Sequence, residues 1–403
     1  MAGNLYIAAA DADSGKSLIS LGIMGILLRY MKRVGFFRPV IQGNGNSDHD
    51  IELIRKRYGL PFRSDEMYGM SIEEAHDLLQ TGDPDALHSG ILNKYKQLEQ
   101  KCDFILCEGT DYKGSLKPFE FDFNARIANN LGAPVLAIVN GKDRNVDEIV
   151  DATQLIKGIL NREKCTYMGM VVNRARMEDM NAVKEALGKY RMDTEIDFVI
   201  PENELLQKLT MRQIGQALNA RHIYGDDEVQ NYDVIDFKVA AMSLEQIIRL
   251  TTDGILVITP SDRTDVLIAL FMTLLADDFP KIAGILLTGG DLKNQDVLRL
   301  IKGVRKLPVA VYSVDTDTYT AATQVSRIRP TLAPDNERRI AAALGHFEAY
   351  VDATDLRDKI EITRSSVVTP LMFEYELIER ARARRRHIVL PEGLDDRILR
   401  ATE

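Results

Sequence analysis

Short apolar runs alternate with longer amphipathic stretches along most of the chain. Over residues 1–212 the apolar runs predict strands at 5–9, 34–37, 104–107, 135–139, 167–172 and 198–200. The 3.6-residue pattern predicts helices at 18–32, 50–58, 72–79, 85–100, 121–131 and 146–160. Strand–helix alternation of this kind predicts a parallel sheet covered on both faces, with ligands at the carboxyl ends of its strands. The polar stretch Gly225-Asp226-Asp227-Glu228 then interrupts the pattern. A second, smaller α/β unit follows, with strands predicted at 234–240, 255–258, 284–287 and 309–312 and helices at 244–250, 266–275 and 296–302. Pro330 and Pro334 mark a connector over 331–368 with one helix at 336–350. The last stretch, 369–403, reads as a helix, a strand at His387-Ile388-Val389-Leu390, and then Pro391-Glu392-Gly393 opening another helix. A lone strand between two helices cannot bury its apolar faces. That pattern predicts the opening of a third α/β domain, and hence a chain that is the front part of a larger protein.

Composition narrows the class. The chain has 403 residues, 45% hydrophobic and 28% charged, with a net charge of −9. Those values are those of a soluble multidomain protein and argue against nucleic acid or an anionic membrane as the main partner. No apolar run reaches the roughly 18 residues of a membrane span. The N-terminus lacks the basic and apolar regions of a secretory signal, so a cytoplasmic protein is expected. Cys102, Cys107 and Cys165 have no metal-site spacing, and Cys107, inside an apolar strand, is expected to be buried and inert.

The candidate chemistry lies after strand ends. The first predicted strand leads into Ala9-Ala10-Asp11-Ala12-Asp13-Ser14-Gly15-Lys16-Ser17 and then a helix. This is most of a phosphate-binding loop. Gly15 permits close backbone approach, Lys16 supplies a cation, Ser17 can ligate Mg²⁺, and the helix N-terminus favours an anion. Asp11, Ser14, Gly15, Lys16 and Ser17 are the candidate phosphate contacts, for ATP or another nucleotide with Mg²⁺. Ala10 stands where the usual signature has glycine, which leaves open a degenerate loop that keeps its shape without nucleotide.

The loop resembles the longer form found in dethiobiotin synthetases. Phe37-Arg38-Pro39-Val40 resembles that family's KPV segment, with Arg38 in the lysine's place. Asn46-Ser47-Asp48 resembles its NSD segment, and Glu108-Gly109 its acidic EG. The resemblance implies Arg38 as a ligand contact and Ser17, Asp48 and Glu108 as oxygen ligands to Mg²⁺. Val172-Asn173-Arg174 resembles the base-side segment. Glu108-Gly109 continues as Thr110-Asp111-Tyr112, so the family's glycine-rich substrate loop is lost. Dethiobiotin synthesis is therefore disfavoured. In the second unit, Asp262-Arg263-Thr264 resembles the segment that names the DRTGG domain, although Asp265-Val266 departs from it. Ser261 or Asp262 is expected to cap the following helix; effector binding there is the alternative. The Arg-rich helix leading into Ile388-Val389-Leu390-Pro391-Glu392-Gly393 resembles the opening of the catalytic domain of phosphate acetyltransferases. Its Arg380, Arg382, Arg384, Arg385 and Arg386 alternate with Glu374, Glu376 and Glu379, as on a solvated face.

The order of these three resemblances is that of long-form phosphate acetyltransferases. It implies α/β throughout: a P-loop doubly wound parallel sheet domain (1–212), a smaller DRTGG-like domain (213–330), the connector, and the opening of the acetyltransferase domain (369–403). It also implies a regulatory and assembly portion of an enzyme interconverting acetyl-CoA and phosphate with acetyl phosphate and CoA. That acyl transfer needs no cofactor, and a homo-oligomer with a small-molecule effector or nucleotide is expected. CoA and acetyl-CoA would bind in the missing domain, so no catalytic residue is assigned here. The alternative is an ATP-dependent ligase of the dethiobiotin synthetase or cobyrinate amidase type.

Overall fold

The computed structural model describes residues 2–11, 13–43, 48–110, 117–292, 295–303, 307–363 and 368–383. Asn46, Ser47, Asp111, Tyr112, and the third-domain strand with Pro391-Glu392-Gly393 lie outside these residues.

Seven parallel strands form the first sheet: β1 Gly3–Ala9, β2 Val34–Ile41, β3 Tyr68–Ser71, β4 Phe104–Glu108, β5 Val135–Asn140, β6 Tyr167–Ala175 and β7 Ile196–Pro201. Their spatial order is β3-β2-β4-β1-β5-β6-β7. Helices cover both faces, so the central strands are near-continuous apolar runs rather than alternating ones. Every residue of β2 and β4 is buried, including the charged Arg38 and Glu108. Each predicted strand is present, most of them extended by one to four residues. The apolar pattern gives no sign of β3, whose Tyr-Gly-Met-Ser has no apolar run. It pairs in register with β2 at the sheet edge, where Gly69 lies so close to the Pro39 carbonyl that a Cβ would sit 2.4 Å from it.

Helix α1, Lys16–Tyr30, is buried nearly all round because it lies between the sheet and a further helix. That covering helix is Glu337–Tyr350, here α3; α2 is His49–Tyr58. Residues 331–363 are packed on the first unit rather than forming the connecting arm expected for 331–368. Ile340, Ala343 and Phe347 of α3 belong to the first core, and a second helix, Ala353–Ile362, follows and adds Leu356 and Ile360 to it. An apolar stripe on an isolated helix needs a partner, and the unusually apolar outer face of α1 supplies it. Gly22 of α1 is where the helices meet: a Cβ there would lie 2.3 Å from the Phe347 ring.

The second sheet contains β9 Arg221–Tyr224, β11 Asp236–Val239, β12 Ile255–Pro260, β13 Gly284–Thr288 and β14 Ala310–Ser313, in the order β11-β12-β13-β14-β9. β9 is antiparallel to β14, and the other pairs are parallel. Alternate residues of β12 and β13 point into two separate apolar clusters, one on each face. A two-stranded antiparallel ribbon pairs β8 Leu209–Thr210 with β10 Asp233–Val234, and β9 of the second sheet falls between them in sequence. Elements here that escaped the sequence pattern include β9, the short helix Met211–Ala217, and the polar helix Thr318–Arg327 capped by Asp317. The expected Ser261 or Asp262 cap is not made. The helix Thr264–Leu275 has Arg263 at its N-cap without a side-chain cap bond, and Arg263 instead pairs with Asp265 at 2.9 Å.

The connector joins the units through more than apolar contact. Arg339 of α3, 2% exposed, donates to Asp233 Oδ1 at 2.8 Å, and His346 Nε2 lies 2.8 Å from the Pro201 carbonyl. No helix among the described residues is long and apolar enough to cross a membrane. The three cysteines are free thiols, with Cys107 fully buried. On helix Pro370–Ala383, Arg380 pairs with Glu376 and Arg382 with Glu379, as expected of a solvated face.

Candidate anion site

The loop after β1 turns sharply enough to require two left-handed residues, Asp13 (φ 56°) and Gly15 (φ 79°). Gly15 is also pressed against β6. The Asn173 amide donates to the Ser14 carbonyl at 2.7 Å, and a Cβ on Gly15 would lie 2.3 Å from that amide nitrogen. Glycine is therefore needed here for both conformation and space. The loop opens on a cleft of about 600 Å³ at the carboxyl edge of the sheet. Its far wall is the segment from Arg327 to Leu332, together with His346 of α3. Neither Ala9 nor Ala10 lines it.

Each candidate residue has a definite place. Lys16 is 4% exposed, and its Nζ donates to the Gly109 carbonyl at 2.5 Å. Ser14, 2% exposed, lines the cleft with a buried hydroxyl that has no hydrogen-bond partner among the described residues. Asp11 does not line the cleft: it takes a two-point ion pair from Arg144, both bonds 2.8 Å, and anchors the loop to the end of β5. Ser17 donates to Asp50 Oδ1 at 2.5 Å. Asp48 caps α2: its Oδ1 accepts from the amides of Asp50 and Ile51, while its Oδ2 accepts from Arg38 at 2.5 Å. Arg38 also lies 3.1 Å from Asp50 and, through Nε, 3.5 Å from Glu108.

Asp50 went unnoticed in the sequence. The available signal was its position two residues after Asp48, since an N-cap carboxylate and the residue at the second helical position share one helix end. Asn173 and Arg174 carried only a weak signal, and both line the cleft.

The electrostatics follow from burial. Burial works against the charge on Arg38, but Asp50, Glu108 and Asp48 outweigh it and hold the guanidinium charged. Burial likewise works against Asp50, yet Arg38, with hydrogen bonds from His49 and Ser17, holds its carboxyl well below the usual range. Glu108 goes the other way. Burial pushes it from the ordinary 4.5 up to about 8, reinforced by Asp50 and opposed by Arg38 and Lys16.

The native state therefore binds an extra proton at Glu108 between those two values, and stability falls as pH rises through that window. The Asp50 contribution is lost only on acidification, below its ordinary 3.8, and does not overlap. Glu108→Gln removes the charge while keeping an acceptor for Ser20. It is expected to flatten the loss of stability between about pH 5 and about pH 8. Urea midpoints across that range test it, and an unchanged slope in the variant would refute it.

The residues assigned to Mg²⁺ do not suit that ion as they are arranged. Ser17 is committed to Asp50, both Asp48 oxygens are engaged, and Glu108 accepts from Ser20 on one side and faces Arg38 on the other. Among the described residues no group of three His, Cys, Asp or Glu gathers in a way that could hold a metal ion.

A family model described as an AAA domain matches residues 3–215, just over half the chain. The chain belongs to the AAA-domain family. A DRTGG domain model matches residues 213–328. Over its whole length the chain is 38% identical to the phosphate acetyltransferase of Nitratidesulfovibrio vulgaris and 32% identical to that of Synechocystis, spanning 58% of each. It is also 25% identical to the phosphate acetyltransferase of Pseudomonas putida, covering 98% of this chain and 57% of the relative. Similar solved structures include an apo GTPase from Pyrococcus abyssi, at 17% identity over 48% of this chain and 75% of the other, with a TM-score of 0.29. MinD from Aquifex aeolicus is similar at 16% identity over 51% and 84%, with a TM-score of 0.30.

Proposed function

We propose that this chain is the regulatory and assembly portion of a phosphate acetyltransferase, with its P-loop cleft sensing a nucleotide or another anionic metabolite. The observation that carries this reading is similarity to phosphate acetyltransferases along the entire chain, with the P-loop and DRTGG units in order. It favours this reading over a ligase of the dethiobiotin synthetase type. The cleft supports the anionic ligand. Lys16, Arg38, Arg174, Arg327 and Arg329 line it, against Asp13, Asp48 and Asp50, and the N-terminus of α1 faces the same space. A cytoplasmic homo-oligomer belongs to the same reading, as does acyl transfer between CoA and phosphate in the whole protein.

Two measurements test it. Nucleotides and pyrophosphate should raise the Tm of the purified chain, and a screen in which no anion does so would overturn the sensing role. The chain by itself should show no phosphate-dependent release of CoA from acetyl-CoA, because it spans only 58% of its relatives' length and no residue within it is assigned to the chemistry. Measurable release would overturn its assignment as a regulatory portion.

A further inference from the structure

We propose that Arg38 takes the place of a divalent cation in this P-loop, so that the cleft binds its anion without metal. The guanidinium occupies the place among the acidic side chains where the family resemblance puts the ion: Asp48 at 2.5 Å, Asp50 at 3.1 Å and Glu108 at 3.5 Å. Its position is set by the sheet. Arg38 lies in the buried run of β2, paired in register with Tyr68 of β3, and its amide donates to the Met67 carbonyl. A side chain only 9% exposed and rooted in a central strand has little freedom to swing away. Arginine also cannot shed its proton, and its planar fork spreads one charge over several acceptors.

The oxygen inventory agrees. A Mg²⁺ ion demands near-octahedral oxygen geometry and gives up water reluctantly. Ser17, the P-loop hydroxyl that would face it, instead donates to Asp50, and Asp48 has already committed both oxygens to the α2 amides and Arg38. A dication brought in here would meet the buried guanidinium as a like charge. The anion would instead be held by Lys16 and the amides at the start of α1, with Arg38 neutralising Asp48 and Asp50, which would repel it. The ligand side of this rests on the cleft being the anion site, but the metal question is decided without any anion.

The test uses the full chain. Mn²⁺ alone is titrated into wild type and Arg38→Met, and free Mn²⁺ is followed by electron paramagnetic resonance. Wild type is expected to leave the signal unattenuated, whereas Arg38→Met, checked for folding by circular dichroism, should take up one Mn²⁺ per chain about tenfold or more tightly. One Mg²⁺-competed Mn²⁺ site in wild type overturns the proposal, whether or not the variant folds. A folded Arg38→Met that ignores Mn²⁺ overturns it as well. In parallel, the pyrophosphate-induced rise in Tm is expected in full in EDTA, and a rise that appears only with Mg²⁺ overturns the proposal. Should pyrophosphate stabilise wild type in neither buffer, the anion-sensing reading falls, and the Mn²⁺ comparison still decides the role of Arg38.

Discussion

Lys16→Ala should abolish the stabilisation that pyrophosphate or a nucleotide gives the wild-type chain. At about 100 times its Kd a ligand adds ~2.7 kcal/mol to the native state, and the variant is expected to lose nearly all of it. The reason is positional. Lys16 is the first residue of α1, 4% exposed, and its ammonium lies on the cleft floor against the Gly109 carbonyl. A phosphate at the helix start would meet that charge in a partly desolvated place, where a charge-assisted contact is strongest. Without ligand the variant gives up, among other contacts, the charge-assisted hydrogen bond to Gly109, about 1.5–3 kcal/mol, and the apolar core is untouched. The two effects separate in one experiment, with Tm measured for both proteins across a ligand titration. A lower starting Tm with an undiminished ligand shift would place the binding site elsewhere in the molecule.

The first sheet was legible in the sequence because a parallel strand buried on both faces is a run of Val, Ile, Leu and Phe, and such runs are hard to mistake. β3 was not, because an edge strand can be short and small where another backbone comes close, as Gly69 does to Pro39. The shape of the loop after β1 was legible for a different reason: a left-handed turn just before a helix favours glycine, and Gly15 supplies it. The roles of single carboxylates were not. Nothing in a string of letters distinguishes Asp48, which caps α2 and pairs with Arg38, from Asp50, which takes the Ser17 hydroxyl. That division depends on which side of the helix start each one leaves. Arg38 shows the limit most plainly. Resemblance marks its position as a ligand contact, yet only the three-dimensional arrangement places it among three carboxylates. The connector was misread because proline-flanked polar sequence looks like an arm, while the partner of its apolar stripe lies some 300 positions earlier, in α1.

That last contact predicts a large stability effect. Phe347→Ala should cost about 3–5 kcal/mol, as truncating a buried phenylalanine does when the cavity cannot collapse. Phe347 is 1% exposed and packs on Gly22, where no Cβ fills the space beneath the ring. Closing that cavity would require α3 to move toward α1. Two bonds resist the movement: Arg339 to Asp233 in the β8/β10 ribbon, and His346 to the Pro201 carbonyl at the end of β7. The loss should appear in the transition of the first unit, because Phe347 belongs to that core and not to either cluster of the second sheet. The chain has no tryptophan, so urea unfolding is best followed by circular dichroism, with limited proteolysis to locate the loosened segment. Cleavage is expected first in 331–363. A loss under about 1 kcal/mol would mean that α3 rests on the surface of the first unit rather than in its core. His346 and the 327–332 segment both line the cleft, so the variant should also weaken any anion-induced rise in Tm without a change to the P-loop itself.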